Sequence, residues 1–202
     1  MKFTITRSLF LGLTLLLTTG CDKEDDQQVA PEPLPEPTFV YSRSIVYYDN
    51  GQRRDTTFQD KKASMVSVQN SKIMRVAAGP LTSTEYVDFT FDRTAVKSGI
   101  VGSYTLKTQK EFAKGDADLT YAYRLPENLG GGSVLFNSRG QNITGNFIIT
   151  AYDAKRQLLS GTYTATLAGN YDPTVEYSSF PKRRCDIIIN GSFTNVPLKT
   201  EE

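Results

Sequence analysis

Histidine is absent from all 202 residues. That absence removes the commonest general base, the usual zinc ligand and every Ser-His or Cys-His triad. A basic excess is missing too: 23 Lys plus Arg stand against 22 Asp plus Glu, so the chain has no electrostatic footprint for nucleic acid. Tryptophan does not occur, and cysteine occurs twice, at Cys21 and Cys185. Long apolar runs are also lacking. Leu9 to Leu17 is nine residues interrupted by Gly12 and Thr14, whereas a spanning helix needs ~20 apolar residues. Helical periodicity is scarce, with room for a turn or two at Arg93–Ser98 and Lys107–Lys114. Gly130-Gly131-Gly132 reads as a flexible loop and not a phosphate cradle, because neither a Lys nor a helix start follows it.

What is present at the N-terminus has an order of its own. Met1-Lys2 and Arg7 precede the short apolar stretch, and Thr18-Thr19-Gly20 lead directly to Cys21. This is the layout of an export signal over residues 1–20, too short for a permanent span. A small residue before a cysteine resembles the lipobox of bacterial lipoproteins, except that Thr18 stands where a leucine is expected and Leu17 lies one place further back. The resemblance implies acyl groups, palmitate among them, on Cys21, with three chains holding the mature protein permanently. An ordinary secretory signal cut near Thr19-Gly20 is the plainer alternative. Asp22-Lys23-Glu24-Asp25-Asp26 follow, an acidic run that resembles the surface-export signal of lipoproteins from Bacteroidota. Its plain alternative is a solvated, self-repelling tether. Residues 31–37 then alternate proline with other residues, which favours a polyproline II stalk of about 20 Å. The expected address is the outer membrane, lipid-anchored and facing the cell exterior, with a periplasm-facing arrangement as the alternative.

Without residues 1–20, Lys plus Arg falls from 23 to 21 against 22 acids, leaving a net charge near −1. With Cys21 acylated, Cys185 is the remaining thiol, and no intrachain disulfide forms. Cys185 shares its alternation with Ile187 and Ile189 and reads as a small apolar core residue. Residues 21–38 form the lipidated acidic and Pro-rich tether. Residues 39–202 have the length of a single domain with a real core.

The signals in that domain are those of strands. Runs rich in aromatic and β-branched residues occur at Phe39–Tyr48, Met65–Val68, Lys72–Ala77 and Tyr86–Phe91, and at 102–107, 118–124, 132–137, 141–152, 157–168 and 185–195. Asp49-Asn50-Gly51 and Gln69-Asn70-Ser71 supply turn chemistry. A five-residue pattern recurs: apolar, any, Gly, small polar, aromatic. It appears at Ile100–Tyr104, Ile143–Phe147, Leu159–Tyr163 and Ile189–Phe193. The apolar residue, the glycine and the aromatic are two apart, so they share one sheet face. A glycine there leaves a gap over which an aromatic from the next strand can lie, or lets the strand bend. The other face carries Ser, Thr and Asn, as a solvated antiparallel sheet should. The glycine spacings are unequal, which excludes a fixed-period solenoid.

Ile148-Ile149-Thr150-Ala151-Tyr152-Asp153, Leu159-Ser160-Gly161-Thr162-Tyr163, Ile189-Asn190-Gly191-Ser192-Phe193 and Gly102-Ser103-Tyr104-Thr105-Leu106 together resemble a family of Bacteroidota lipoproteins of unknown function. The likeness spans roughly residues 100–196. It implies an all-β lipoprotein domain and no established biochemical role. The expected fold is accordingly all-β: an antiparallel β-sandwich or flattened lipocalin-like barrel of about nine to ten strands.

Candidate chemistry is sparse. Asp116, Asp118 and Asp172 are potential oxygen ligands for calcium, but their spacing is that of solvated turn residues. No carboxylate pair stands out as a glycosidase couple. Tyr47, Tyr48, Tyr86, Tyr121 and Tyr123 are candidates for stacking on sugars or protein partners. The alternative for them is half-buried strand positions. Arg53-Arg54 and Lys182-Arg183-Arg184 are short basic runs suited to an acidic partner or to solvated strand ends. Asp55-Thr56-Thr57 resembles a short bacterial O-glycosylation motif. The expectation is therefore a lipoprotein that is not an enzyme, with no cofactor and no metal. Its β domain serves binding, adhesion or a membrane complex, with a glycan, a protein or a small apolar molecule as partner. The alternative is a lipocalin-like carrier holding a small apolar ligand inside a barrel.

Overall fold

The computed structural model of the chain describes residues 33–82, 84–94, 100–108, 115–129, 131–175 and 181–201. Cys21 and the acidic run Asp22, Lys23, Glu24, Asp25 and Asp26 lie outside the described residues. So do most positions of the two short helical segments considered above.

Among the described residues eleven strands make the domain: β1 (Thr38–Tyr47), β2 (Arg53–Gln59), β3 (Ala63–Gln69), β4 (Ile73–Pro80), β5 (Glu85–Asp92), β6 (Gly102–Lys107), β7 (Ala117–Arg124), β8 (Ser133–Asn137), β9 (Asn142–Asp153), β10 (Leu158–Tyr171) and β11 (Arg184–Thr200). The order β10-β9-β6-β7-β5-β4-β3-β11 returns to β10, because β10 also pairs with β11. This closes an eight-strand barrel of the lipocalin-like kind, and β1, β2 and β8 are additional to it. Most pairings are antiparallel, with two short parallel contacts. One joins Leu198–Thr200 of β11 to Ser67–Gln69 of β3, and the other joins Leu106 of β6 to Ala117 of β7.

The strand that the sequence does not advertise is β2. Its residues are Arg-Arg-Asp-Thr-Thr-Phe-Gln, and only Phe58 packs against the core. A strand at an edge pairs on one side only, and charged residues there prevent further pairing, so no apolar alternation is required. Three strands also run further than their apolar runs: β4 reaches Pro80, β10 reaches Tyr171 and β11 reaches Thr200. In β11 the inward set passes from Phe193 to Val196 across Asn195, which has a left-handed φ of 55°. That bulge marks where the strand exchanges one neighbour, β1, for another, β3.

The recurring five-residue pattern builds the interior. Its four aromatics, Tyr104, Phe147, Tyr163 and Phe193, are all at most 2 % exposed. They come from β6, β9, β10 and β11; Tyr104, Phe147 and Tyr163 meet Phe89 or Phe91 of β5 across the barrel, and Phe193 meets Phe147. Ring centroids are separated by 4.7 Å for Phe89–Phe147 and 5.1 Å for Phe89–Tyr163. Each such pair adds about 0.5–1.5 kcal/mol beyond its burial. The glycines permit this layer. In the register of β10 and β11, Gly161 faces Phe193 and Tyr163 faces Gly191. A Cβ on Gly191 would lie 2.1 Å from Tyr163 Cζ and 2.4 Å from the Val40 carbonyl oxygen. Gly191→Ala is therefore expected to destabilise the domain by about 1–3 kcal/mol through overpacking. A urea midpoint that does not move, at constant m value, would contradict this close approach.

Candidate functional site

Three groupings of side chains have chemical potential, and they lie in different parts of the barrel. The first is an ion pair inside it. Arg43 occupies an inward position of β1 between Tyr41 and Ile45, and Glu85 occupies an inward position at the start of β5. Arg43 Nη1 donates to Glu85 Oε2 at 2.7 Å, with side chains 7 % and 2 % exposed. Tyr121 and Tyr41 donate to the same oxygen at 2.7 and 3.1 Å. Arg43 also reaches Thr56 Oγ1 on β2 at 3.2 Å and lies 5.2 Å from the ring centre of Tyr123. Burial pushes the Tyr41 and Tyr121 phenols well above their ordinary value, and their neighbours' charge adds to it. Burial opposes the charge on Arg43, yet Glu85 holds its pKa above the ordinary arginine value. The cluster ties the β1–β2 hairpin to the wall strands β5 and β7. No alternation rule predicts it from composition. The available signal was a charged residue at an inward position in each of two otherwise apolar strand faces.

The second grouping gathers the two basic runs at one end of the barrel. Asp172, following β10, accepts from Tyr47 Oη at 2.5 Å, from Arg54 at 3.2 Å and from Thr174 Oγ1 at 2.7 Å. Arg183 binds Asp49 through two nitrogens at 2.6 and 2.8 Å and lies 3.6 Å from the centre of the Tyr47 ring. Arg53 is held by Asp55 and Ser44, and Arg184 by the Gly169 carbonyl. These cations fasten strand ends together instead of standing free for an acidic partner. Burial alone would raise the Asp172 carboxyl, but the bonds from Tyr47 and Thr174 outweigh it and hold it below the usual value. Burial, followed by the bond to Asp172, pushes the Tyr47 phenol up to about 12.

The neighbouring Cys185 is fully buried, as its alternation implied, and burial pushes its thiol up to about 12. The sign of the pH effect follows from these directions. Below the unfolded thiol value of 9.0 and phenol value of 10.0 the groups are neutral in both states. Above those values the unfolded chain ionises first, so stability is lost progressively up to about pH 12. The melting temperature is expected to fall steadily between pH 9 and 11.5, values spanning that same window. A flat profile over that range would contradict the assignment.

The third grouping is a groove of about 1000 Å³ at the same end as Asp172. Its apolar lining is Val134, Leu135 and Phe136 of β8, with Tyr171 at the end of β10 and Pro173 and Val175 beyond it, and Gln141, Asn170, Asp172 and Lys182 contribute its polar groups. The groove exists because β9 begins pairing with β10 at Asn142–Ala168. Past that point β10 has β11 on one side and no β9 on the other. Asn170 pairs with Cys185, which in turn pairs with Tyr47 at the last residue of β1. The groove thus lies at the opposite end of β1 from Thr38, where the chain enters the barrel.

The remaining candidates separate. Asp116 and Asp118 line a different, shallower pocket with Asp92, away from Asp172. Among the described residues no three potential ligands are grouped as a metal site. Of the tyrosines considered for stacking, Tyr48 and Tyr86 are exposed, Tyr123 is half-buried, and Tyr47 and Tyr121 are buried. Thr56, central to the glycosylation-like motif, is half-buried and bonded to Arg43. The β8 residues of the groove were read from sequence only as strand positions, because nothing in Ser-Val-Leu-Phe-Asn reveals that one edge of that strand faces open space, whereas Asp172 and Lys182 were read as a calcium-ligand candidate and as part of a basic run. Compared with known proteins, the chain matches no family model, no curated protein and no solved structure.

Proposed function

We propose that the mature chain is an outer-membrane lipoprotein held by acyl groups on Cys21 and facing the cell exterior. Its β domain is a non-catalytic module for binding or adhesion, or an accessory part of a membrane complex, and it takes its partner in the groove beside β8. The observation that carries this reading is the groove itself. Its volume of about 1000 Å³ and its apolar lining with a few polar groups fit the character of binding pockets.

The address rests on Cys21 and on Asp22, Lys23, Glu24, Asp25 and Asp26. Protease added to intact cells, with a periplasmic protein as integrity control, is expected to remove the domain. Cys21→Ser is expected to release the protein from the membrane fraction. Survival of the domain until lysis would favour the periplasm-facing arrangement.

A second reading, a carrier of a small apolar ligand, is favoured by the same apolar lining. Because rings fill the barrel axis, the groove and not the barrel interior is the proposed seat of that cargo. Native mass spectrometry of the purified protein separates the two. A stoichiometric lipophile that is lost in Leu135→Asp supports the carrier. Retention on a glycan or protein array that Leu135→Asp abolishes, without a lipophile, supports the module. Wild type and variant behaving alike in both experiments would remove the groove from either reading.

A further inference from the structure

We infer that the groove accepts an extended peptide segment of a partner protein as an added strand on the free edge of β8. The inference rests on the groove being the binding site and names the class of its occupant.

The direction of the β8 backbone groups follows from the ladder. Ser138 N–H donates to the Leu119 carbonyl and Leu125 N–H donates to the Gly132 carbonyl. Between these two contacts the antiparallel register is unbroken, pairing Phe136 with Tyr121 and Val134 with Tyr123. Antiparallel pairs alternate between hydrogen-bonded and non-hydrogen-bonded. Val134 and Phe136 are therefore bonded to β7, and the N–H and C=O groups of Ser133 and Leu135 point to the other side. Among the described residues no second strand pairs with β8. That open side faces the groove.

Two contrasts on the same molecule identify the occupant. The other edge strand, β2, exposes Arg53 and Asp55, the charged protection expected of an edge that must stay unpaired. The central residues of β8, Val134, Leu135 and Phe136, carry no charge, and Leu135 is 55 % exposed. The charges along the groove point the same way. Its acid, Asp172, is turned toward Arg54 and Tyr47, and apart from Lys182 the rest of its lining is uncharged and mostly apolar, a slot matched to main chain with apolar side chains. Strand addition supplies affinity through main-chain hydrogen bonds and selectivity through alternate side chains. A second copy of the chain fits less well. Its own β8 is flanked by the same wall of Tyr171, Pro173 and Val175, and two walled edges cannot approach each other.

The test uses the full chain and a blocked hexapeptide of alternating Thr and Val, followed by amide chemical shifts and by affinity. Binding is expected to shift the Ser133 and Leu135 amides. Methylating alternate peptide nitrogens is expected to weaken it at least tenfold. Leu135→Pro removes one outward donor without touching the bonds to β7, and it is expected to weaken the peptide to a similar degree, whereas Leu135→Ala has a smaller effect. A circular dichroism melt checks that the proline variant folds, and the methylated peptide needs no variant at all. Binding that is indifferent to methylation and to Leu135→Pro would overturn the inference. So would a dimer that dissolves in Leu135→Pro. If N-phenylnaphthylamine binds the groove and the peptide does not, strand addition fails while the groove remains the site. If neither binds, both fail.

Discussion

Glu85→Ala is expected to lower stability by about 3–5 kcal/mol, because it leaves the Arg43 charge buried without its partner. Arg43 is 6 % exposed and cannot turn to solvent without leaving the barrel. The same substitution strips Tyr41 and Tyr121 of the acceptor they share. Each phenol left unsatisfied adds to the penalty. The pair is not thereby a strong source of net stability. Taking two charges out of water nearly cancels their attraction, so the double variant Arg43→Met, Glu85→Leu is expected to recover most of the loss. Urea denaturation of the three proteins is the measurement. A single variant within 1 kcal/mol of wild type, roughly the effect of an exposed pair, would mean that the cluster is solvated. The cluster's role is to fix where the β1–β2 hairpin sits against β5 and β7.

Phe147→Ala is the second large effect, with an expected cost of about 3–5 kcal/mol. Phe147 is fully buried and touches Phe89, Phe91, Tyr163 and Phe193. Rings held on three different strands, β5, β10 and β11, cannot all collapse into the space it leaves. The resulting cavity is apolar, and apolar cavities of that size stay dry and take small hydrocarbons. The variant is therefore expected to bind benzene, with a melting temperature that rises with benzene concentration, whereas wild type does not respond. A wild-type protein that is stabilised equally would show that the barrel axis is already open.

These two expectations explain which parts of the structure were legible in the chain. The ring layer was readable because it depends on local pattern. Apolar, glycine and aromatic positions two apart must share a face, and the cross-strand match of Gly161 with Phe193 and of Gly191 with Tyr163 repeats that logic between neighbours. The strand runs at 141–152 and 157–168 were readable for the same reason, and they form β9 and β10, with Asp153 capping the turn between them at Lys155 and Arg156. The Arg43–Glu85 pair was not, because the partners are 42 positions apart and alternation says which way a side chain points but not what it meets. β2 escaped notice because an edge strand needs no apolar face. The groove escaped notice because it is a gap, created by where β9 stops accompanying β10. Local sequence encodes the strands on either side of a gap and not the space between them.

The barrel is packed along its axis, and the groove beside β8 is the proposed binding site. A nuclear magnetic resonance titration of the protein with N-phenylnaphthylamine tests it most directly. Shifts are expected at Val134, Leu135, Phe136, Tyr171 and Val175, with Phe89, Tyr104, Phe147, Tyr163 and Phe193 unchanged. Shifts centred on those five rings, with the groove residues silent, would contradict it.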